Sequence, residues 1–463
     1  MKFNYFSFKQ FDNDNYLITN ELGYYDFISK KDFESIIGER FEELDPEILS
    51  RLKDRFFIYD QDADVFVENA SYKYRDNKNY LLSATCLHIF VLTNACNMNC
   101  VYCQAQDTRQ KNKGKMDRET AKKAVDIALQ SPNRELTFEF QGGEPLTNFE
   151  VLKYIVEYTE EKKGDKIVHY SVVSNTLLIT DEIIDFFKQN NISLSTSLDG
   201  NEEIHNSNRP KANGEGTFNS VEKNIRYIQS KKLGIGAIQT TTRKSLSNPK
   251  AIVDSYRNLD LRYLFIRPLT PLGYANENWS EVGYSPEEFV EFYRACLAEI
   301  IQANKEGYCM AEGHASIFLR KMIDHVSDNY MELRSPCGAG VGQIVYYYDG
   351  KVYTCDEARM LSEMGMPDFC IGTVEKTYDE LMDSRVCKVT CQSSVIECIP
   401  QCCDCVYHPY CGVCPVVNYA LESNLYSREA NGYRCKIYKG MLDTLFEYLE
   451  NDKEAAEIFG KWL

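Results

Sequence analysis

The 463-residue sequence predicts an α/β protein. A partial (β/α)6 TIM-type barrel spans residues 85–284, preceded by a winged-helix-like segment at 1–80. A helical bridge at 285–336, a cysteine-stapled domain at 337–435 and a C-terminal helix at 436–463 complete the chain. Three observations predict this layout. Strand-like and helix-like segments alternate six times in the middle of the chain, short alternating runs with Asn, Asp and Gly turns fill the first 80 residues, and cysteines crowd the last third.

The N-terminal runs are Tyr5–Phe8, Tyr16–Ile18 and Tyr24–Ile28, which read as short strands between polar turns. Helical patterns follow at Lys31–Ile37 and Pro46–Leu52, then the short run Arg55–Tyr59. A small hairpin followed by helices is a winged-helix arrangement. Basic winged helices bind DNA, whereas this one mixes Asp and Glu freely with Lys and Arg, and the bland alternative is a packing appendage.

The barrel strands are expected at Leu87–Leu92, Leu136–Phe140, Ile167–Val173, Ile192–Leu198, Ile235–Thr241 and Tyr263–Ile266. Amphipathic helices lie between them, for example Arg118–Leu129, Asp181–Gln189 and Val221–Lys231. Repeated βα units build a parallel sheet, and function in such barrels gathers at the C-terminal strand ends. Residues 285–330 and the tail from Lys436 read as helical, while 337–435 has little apolar periodicity and needs staples to hold a shape.

The formal charge of −17 argues against a nucleic-acid partner. No apolar run approaches a membrane span, and Met1–Tyr5 does not read as a signal peptide. The 18 cysteines cluster in a chain too long for a secreted disulfide scaffold. They read as metal ligands in a reducing cytoplasm.

The most informative run is Cys96-Asn-Met-Asn-Cys100-Val-Tyr-Cys103, placed in a loop after Cys86–Thr93. Three thiolates at this spacing can hold three irons of a cubane cluster. Most iron–sulfur clusters take four cysteines, so this loop leaves one iron open to a small chelating ligand. A structural zinc site is the alternative, and it ordinarily draws four ligands from two paired motifs.

The CxxxCxxC loop resembles that of the radical SAM superfamily. There the open iron of a 4Fe–4S cluster is chelated by S-adenosylmethionine, and reductive cleavage of the cofactor gives a 5'-deoxyadenosyl radical that abstracts hydrogen. The resemblance implies that Cys96, Cys100 and Cys103 hold this cluster. Gln141-Gly142-Gly143-Glu144-Pro145 resembles the GGEP motif, whose glycines admit a ligand close to the backbone and whose carboxylate can accept from the methionyl amine. Ser174 and Asn175 close the third strand and suit the cofactor's ribose or carboxylate; an N-cap is the plainer reading. Ser197-Leu198-Asp199-Gly200, with His205 and Arg209 behind it, resembles the SLDG stretch of family members acting on peptides. That resemblance adds Asp199 and Arg209 to the cofactor candidates. Tyr102 can cover the adenine edge or simply pack.

The late cysteines resemble a SPASM domain with two auxiliary 4Fe–4S clusters. The family pattern gives Cys402, Cys405, Cys411 and Cys435 to the outer cluster, and Cys337, Cys355 and Cys414 to the inner one. The fourth inner position is left among Cys387, Cys391, Cys398 and Cys403, or open to substrate. The family commonly has three residues before the fourth cysteine of the central run, where this chain has two. Two zinc sites are the alternative. Asp356, next to Cys355, stands where sulfatase maturases place a catalytic base, though a turn or outer-sphere role also fits.

Stretches such as Leu87–Val91, Arg267–Pro271, Leu333–Pro336 and Asp356–Leu361 resemble the His-Xaa-Ser system peptide maturases. This implies a precursor peptide with a leader as substrate, bound through the N-terminal segment as an added strand. An electron donor such as flavodoxin or ferredoxin is also implied. The expected activity is oxidation or crosslinking of an unactivated C–H position in that peptide. A formylglycine-forming sulfatase-type maturase, a thioether synthase and a non-catalytic leader-binding scaffold or electron carrier are the rivals.

Overall fold

Ten strands form the central sheet of the computed structural model, which describes residues 1–106, 113–326, 329–426 and 432–463. Before it come two small sheets. β1 (Lys2–Phe3) pairs antiparallel with β5 (Ile58–Tyr59), and β2 (Ser7–Gln10), β3 (Asn15–Thr19) and β4 (Tyr25–Ser29) form an antiparallel meander. Helices Lys30–Ile37 and Pro46–Asp54 begin at side-chain caps, where Ser29 accepts from the Asp32 N–H and Asp45 from the Glu47 N–H. A third helix, Ala63–Asn77, is absent from the sequence expectation. Its apolar residues do not share one face: Phe66 is buried while Val65, Val67 and Tyr72 are exposed.

The barrel strands are β6 (Leu87–Val91), β7 (Glu135–Gln141), β8 (Ile167–Val173), β9 (Ile192–Ser197), β10 (Ile235–Thr240) and β11 (Tyr263–Arg267). They pair parallel in chain order, with Leu87 opposite Thr137, Glu139 opposite Ser171 and Thr240 opposite Arg267. Strands of a parallel sheet covered on both faces read as continuous apolar runs. These alternate instead. Leu136, Phe138, Phe140, Val168, Tyr170 and Val172 are buried against the helices, while Thr137, Glu139, Gln141 and Ser171 are half-buried. The second face therefore lines a polar interior.

Two additions enlarge the sheet beyond the six expected strands. The helical bridge contains β12 (Ala311–Glu312), which pairs parallel with β11. At the opposite edge β13 (Gln343–Tyr346) pairs parallel with β6, and β14 (Lys351–Tyr353) and β15 (Cys370–Thr373) continue antiparallel. The cysteine-dense region thus starts inside the barrel sheet. The tail holds two helices, Tyr433–Asn451 and Lys453–Gly460, where the sequence reading had one from Lys436. Asp452 breaks the run because its carboxylate caps the second helix at Ala455. No helix among the described residues is long and apolar enough to cross a membrane.

Candidate active site

The loop after β6 carries Cys96, Cys100 and Cys103 and is pinned at both ends. The Asn99 and Val101 N–H groups donate to Pro210 and Asn208 at 2.8 and 3.0 Å. The Gly143 and Glu144 N–H groups donate to Thr93 and Ala95 at 2.8 and 2.9 Å. A Cβ on Gly142 would sit 2.4 Å from the Thr93 carbonyl oxygen, and one on Gly143 would sit 2.2 Å from that of Ala95. These glycines are required by the approach of the GGEP turn to the cysteine loop itself. Gly273, which sequence reasoning missed, closes the loop's other side. It has φ +53°, and its Cβ would meet the carbonyl oxygens of Gln106, Cys103 and Gln104 at 2.4–2.7 Å.

Burial pushes Cys96 up to about 11 and Cys100 up to about 12, and raises Cys103, with the three thiols acting on one another. Among the described residues no three Cys, His, Asp or Glu side chains close on a single ion-sized point. The trio is gathered rather than clasped. Such buried thiols stay protonated without a cation, and a coordinating metal deprotonates them outright. The donor set and the tight glycine turn fit an iron–sulfur cluster.

Glu144 has no solvent exposure and serves as a staple. It accepts from Ser174 Oγ at 2.8 Å, the Asn175 N–H at 2.8 Å and the Leu146 N–H at 3.0 Å. Burial moves its carboxyl up to about 7 against these bonds. Asn175 Nδ2 donates to Asn97 Oδ1 at 2.6 Å inside the cysteine loop. Asp199, also fully buried, receives the Tyr102 hydroxyl at 2.7 Å, Asn208 Nδ2 at 3.1 Å and the Thr240 N–H at 3.2 Å. Arg209 Nε lies 3.1 Å from the same carboxylate, and its guanidinium covers the Tyr102 ring at 5.2 Å. Tyr102 is 5% exposed, so it packs within this network. Glu144, Ser174, Asn175, Tyr102, Asp199 and Arg209 together lock the cysteine loop to the ends of β7, β8 and β9.

A second charged group crosses from the barrel to the cysteine-dense region. Arg267 at the end of β11 pairs with Glu332 at 2.8 Å, and Arg434 pairs with the other oxygen of Glu332. Burial opposes ionisation of Glu332, but the two guanidinium groups outweigh it and hold the carboxyl down to about 2. Asp356 ion-pairs with Arg359, which is 1% exposed and whose Nε has no partner among the described residues. The Arg359 charge also favours the ionised form of Cys103, against the burial that raises it. Glu332 and Arg434 carry no motif by which sequence alone could single them out, and Arg359 enters the sequence reading only as part of the Asp356–Leu361 stretch.

The late cysteines fall into two groups. Cys402, Cys405, Cys411 and Cys435 line one cleft, which Cys414 also borders. Within it burial lifts Cys402 to about 11 and Cys411 to about 12, reinforced by the neighbouring thiols of the same four. Cys337, Cys355 and Cys414 form the other group. All three are buried, with Cys337 raised to about 12 and Cys414 to about 11 by burial.

The Radical SAM superfamily model matches residues 90–242. A cysteine-type anaerobic sulfatase-maturating enzyme of Clostridium novyi is 27% identical over 326 residues, covering 68% of this chain and 83% of the relative. An uncharacterized protein of Methanocaldococcus jannaschii is 34% identical over 278 residues, covering 60% of this chain and 87% of its own. Among solved structures, native anSMEcpe with bound AdoMet and Cp18Cys peptide matches with TM-score 0.68 at 21% identity, covering 81% of this chain and 99% of that one. Streptococcus suis SuiB bound to precursor peptide SuiA matches with TM-score 0.56 at 13% identity, covering 92% and 98%. These structures share the fold, and the cysteine-rich C-terminus fits a SPASM-like domain.

Proposed function

The chain belongs to the radical SAM superfamily, and on that premise we propose that it modifies a ribosomally made precursor peptide by oxidising or crosslinking a C–H position. Membership makes it an enzyme and implies a 4Fe–4S cluster and S-adenosylmethionine. Together they supply a 5'-deoxyadenosyl radical for hydrogen abstraction. The observation that carries the proposal is the double locking of the Cys96–Cys103 loop, by the Gly142–Glu144 turn on one side and the Asp199–Arg209–Tyr102 network on the other.

In this reading Cys96, Cys100 and Cys103 hold the cluster, and Gly142, Gly143, Glu144, Ser174 and Asn175 shape the cofactor site beside it. The polar interior of β7, β8 and β11 orients the peptide, and the covered barrel keeps water from the reacting position. Asp356, held by Arg359, stands ready to take a proton from the oxidised position. The two late cysteine groups would hold auxiliary clusters that take up the surplus electron.

Support for a peptide substrate comes from the anSMEcpe structure with bound Cp18Cys peptide and the SuiB structure bound to precursor peptide SuiA. The N-terminal sheet offers edge strands for a leader. Beside it runs a cleft lined by Tyr5, Leu22, Phe66, Val67 and Ala70. We place the chain nearest the His-Xaa-Ser system maturases, acting in the reducing cytoplasm with flavodoxin or ferredoxin as donor. A sulfatase-type maturase is the second reading, favoured by the Clostridium novyi relative and by Asp356 directly after Cys355.

The test is anaerobic formation of 5'-deoxyadenosine by the reconstituted chain, compared with its Cys96/Cys100/Cys103→Ala variant. Production by the wild type alone is expected, and mass spectrometry of the co-incubated peptide then separates the readings. A crosslink or desaturation supports the first and an aldehyde supports the second. An iron-loaded wild type that yields no 5'-deoxyadenosine even with its peptide overturns both and leaves a scaffold.

A further inference from the structure

Leu136, Phe138 and Phe140 of β7 pack toward the helices, so Glu139 and Gln141 look into the barrel. Glu139 is half-buried there and lacks a cation. Gln141 Nε2 donates to its Oε1, and Ser171 Oγ stands 3.4 Å from its Oε2, long for a hydroxyl bond. No ion pair engages Glu139 among the described residues. By contrast Asp199 meets Arg209, Asp356 meets Arg359, and Glu332 meets Arg267 and Arg434. Arg267, the inward charge at the end of β11, is thus turned to Glu332 rather than to Glu139. Burial raises the Glu139 carboxyl above its ordinary value, opposed by the Gln141 bond. A carboxylate kept from water without a cation is destabilised, and the charge of a ligand relieves that.

The wall beside Glu139 leaves space for such a ligand. Ser171 of β8 lies opposite Glu139 in the register, and Ser193 of β9 lies opposite Ser171. Ser195 of β9 and Gly236 of β10 are opposite one another. A Cβ on Gly236 would meet only Ser195 Oγ, at 4.0 Å, so this wall is open. Depth matters as well. Glu139 lies two residues before Gln141, about 7 Å down the strand from the turn that grips the cysteine loop. Lysine carries its charge on a flexible four-carbon stem and spans that depth from a peptide lying across the strand ends. Arginine reaches as far.

We propose that Glu139 sets substrate specificity in the barrel, its carboxylate receiving the cationic head of a lysine or arginine side chain of the peptide. The inference deepens the peptide-substrate reading given above and rests on it. The basic residue enters along the Ser171–Ser195 wall, and its backbone stays at the level of the Cys96–Cys103 loop.

The experiment uses the reconstituted full chain with S-adenosylmethionine and four capped peptides, acetyl-Gly-Ala-Xaa-Ala-Gly-amide. Xaa is lysine, arginine, norleucine or glutamate. Anaerobic calorimetry reads binding, and chromatography reads 5'-deoxyadenosine. The lysine and arginine peptides are expected to bind about tenfold more tightly than norleucine, the increment of one charged hydrogen bond. Glu139→Gln keeps an acceptor for Gln141 and is expected to bring lysine down to the norleucine level. Glu139→Lys is expected to turn the preference to the glutamate peptide, a reversal that a merely structural role would not give. Equal binding of the lysine and norleucine peptides by the wild type overturns the proposal, however the variants fold, and leaves the peptide reading standing. If no peptide binds and none raises 5'-deoxyadenosine, the proposal and the peptide reading fall together.

Discussion

Asp199 holds four partners from three parts of the chain: Tyr102 in the cysteine loop, Asn208 and Arg209 after β9, and the Thr240 N–H at the end of β10. It is fully buried and Arg209 nearly so. Removing one member of a buried ion pair strands the other and costs on the order of 3–5 kcal/mol. Asp199→Asn keeps the shape and an acceptor for Tyr102 but abandons the Arg209 charge. We expect it to lower the thermal midpoint and to strip iron from the Cys96–Cys103 loop ahead of the auxiliary sites. Iron content and 5'-deoxyadenosine yield check this, and wild-type values for both would show that the network does not hold the loop. The sequence made Asp199 visible through its SLDG context. In the fold its oxygens are engaged by Tyr102, Asn208, Arg209 and the Thr240 N–H.

At the scale of elements, β12 and the helix Gly313–Leu319 hang on Glu312. This buried carboxylate accepts from the Ile266 N–H at 3.1 Å, Tyr293 Oη at 2.9 Å and the Ala315 N–H at 2.6 Å. Burial raises its carboxyl to about 7 from an ordinary 4.5. A folded-state value above the unfolded one means that its stabilising contribution is complete below about 4.5 and fades as pH rises through about 7. Glu312→Gln removes that dependence. The difference in thermal midpoint, wild type minus variant, should therefore fall as pH rises across that window. A difference flat in pH would contradict the assignment. Elements of this size escape sequence reading. β12 is two residues long, and Ala63–Asn77 spreads Val65, Phe66, Val67 and Tyr72 around its circumference, so neither shows a period. Helix Pro286–Lys305, by contrast, announces itself through Ser285 and Glu288, which form a reciprocal capping box.

Across the whole molecule the N-terminal segment is fastened to the cysteine-dense domain and the C-terminal helix. Thr19 Oγ1 donates to the Val406 carbonyl at 2.7 Å and Tyr410 Oη to that of Gly23 at 3.0 Å. Lys9 pairs with Asp443 at 2.8 Å, and Tyr25 and Phe27 meet Phe446 edge-on. Deleting residues 1–80 would uncover this apolar seam next to the Cys402–Cys435 cleft. The truncated chain should aggregate or lose outer-site iron, measured by size-exclusion chromatography and iron content. A truncated chain that stays monomeric with full iron would make the segment a detachable leader reader.

The sequence by itself determined the order of βα units, the three-cysteine loop and the GGEP turn. Each is local: an alternation, a spacing or a glycine pair that short-range sterics and ligand chemistry already fix. Tertiary structure alone decided that β13 joins the barrel sheet beside β6, across more than 250 residues of chain. It also decided that Arg434 meets Glu332 over a separation of 102 and that the buried Cys337, Cys355 and Cys414 come from three separate segments. Such convergence comes from packing the helices and strands around one polar interior, and no pattern within a single segment encodes it.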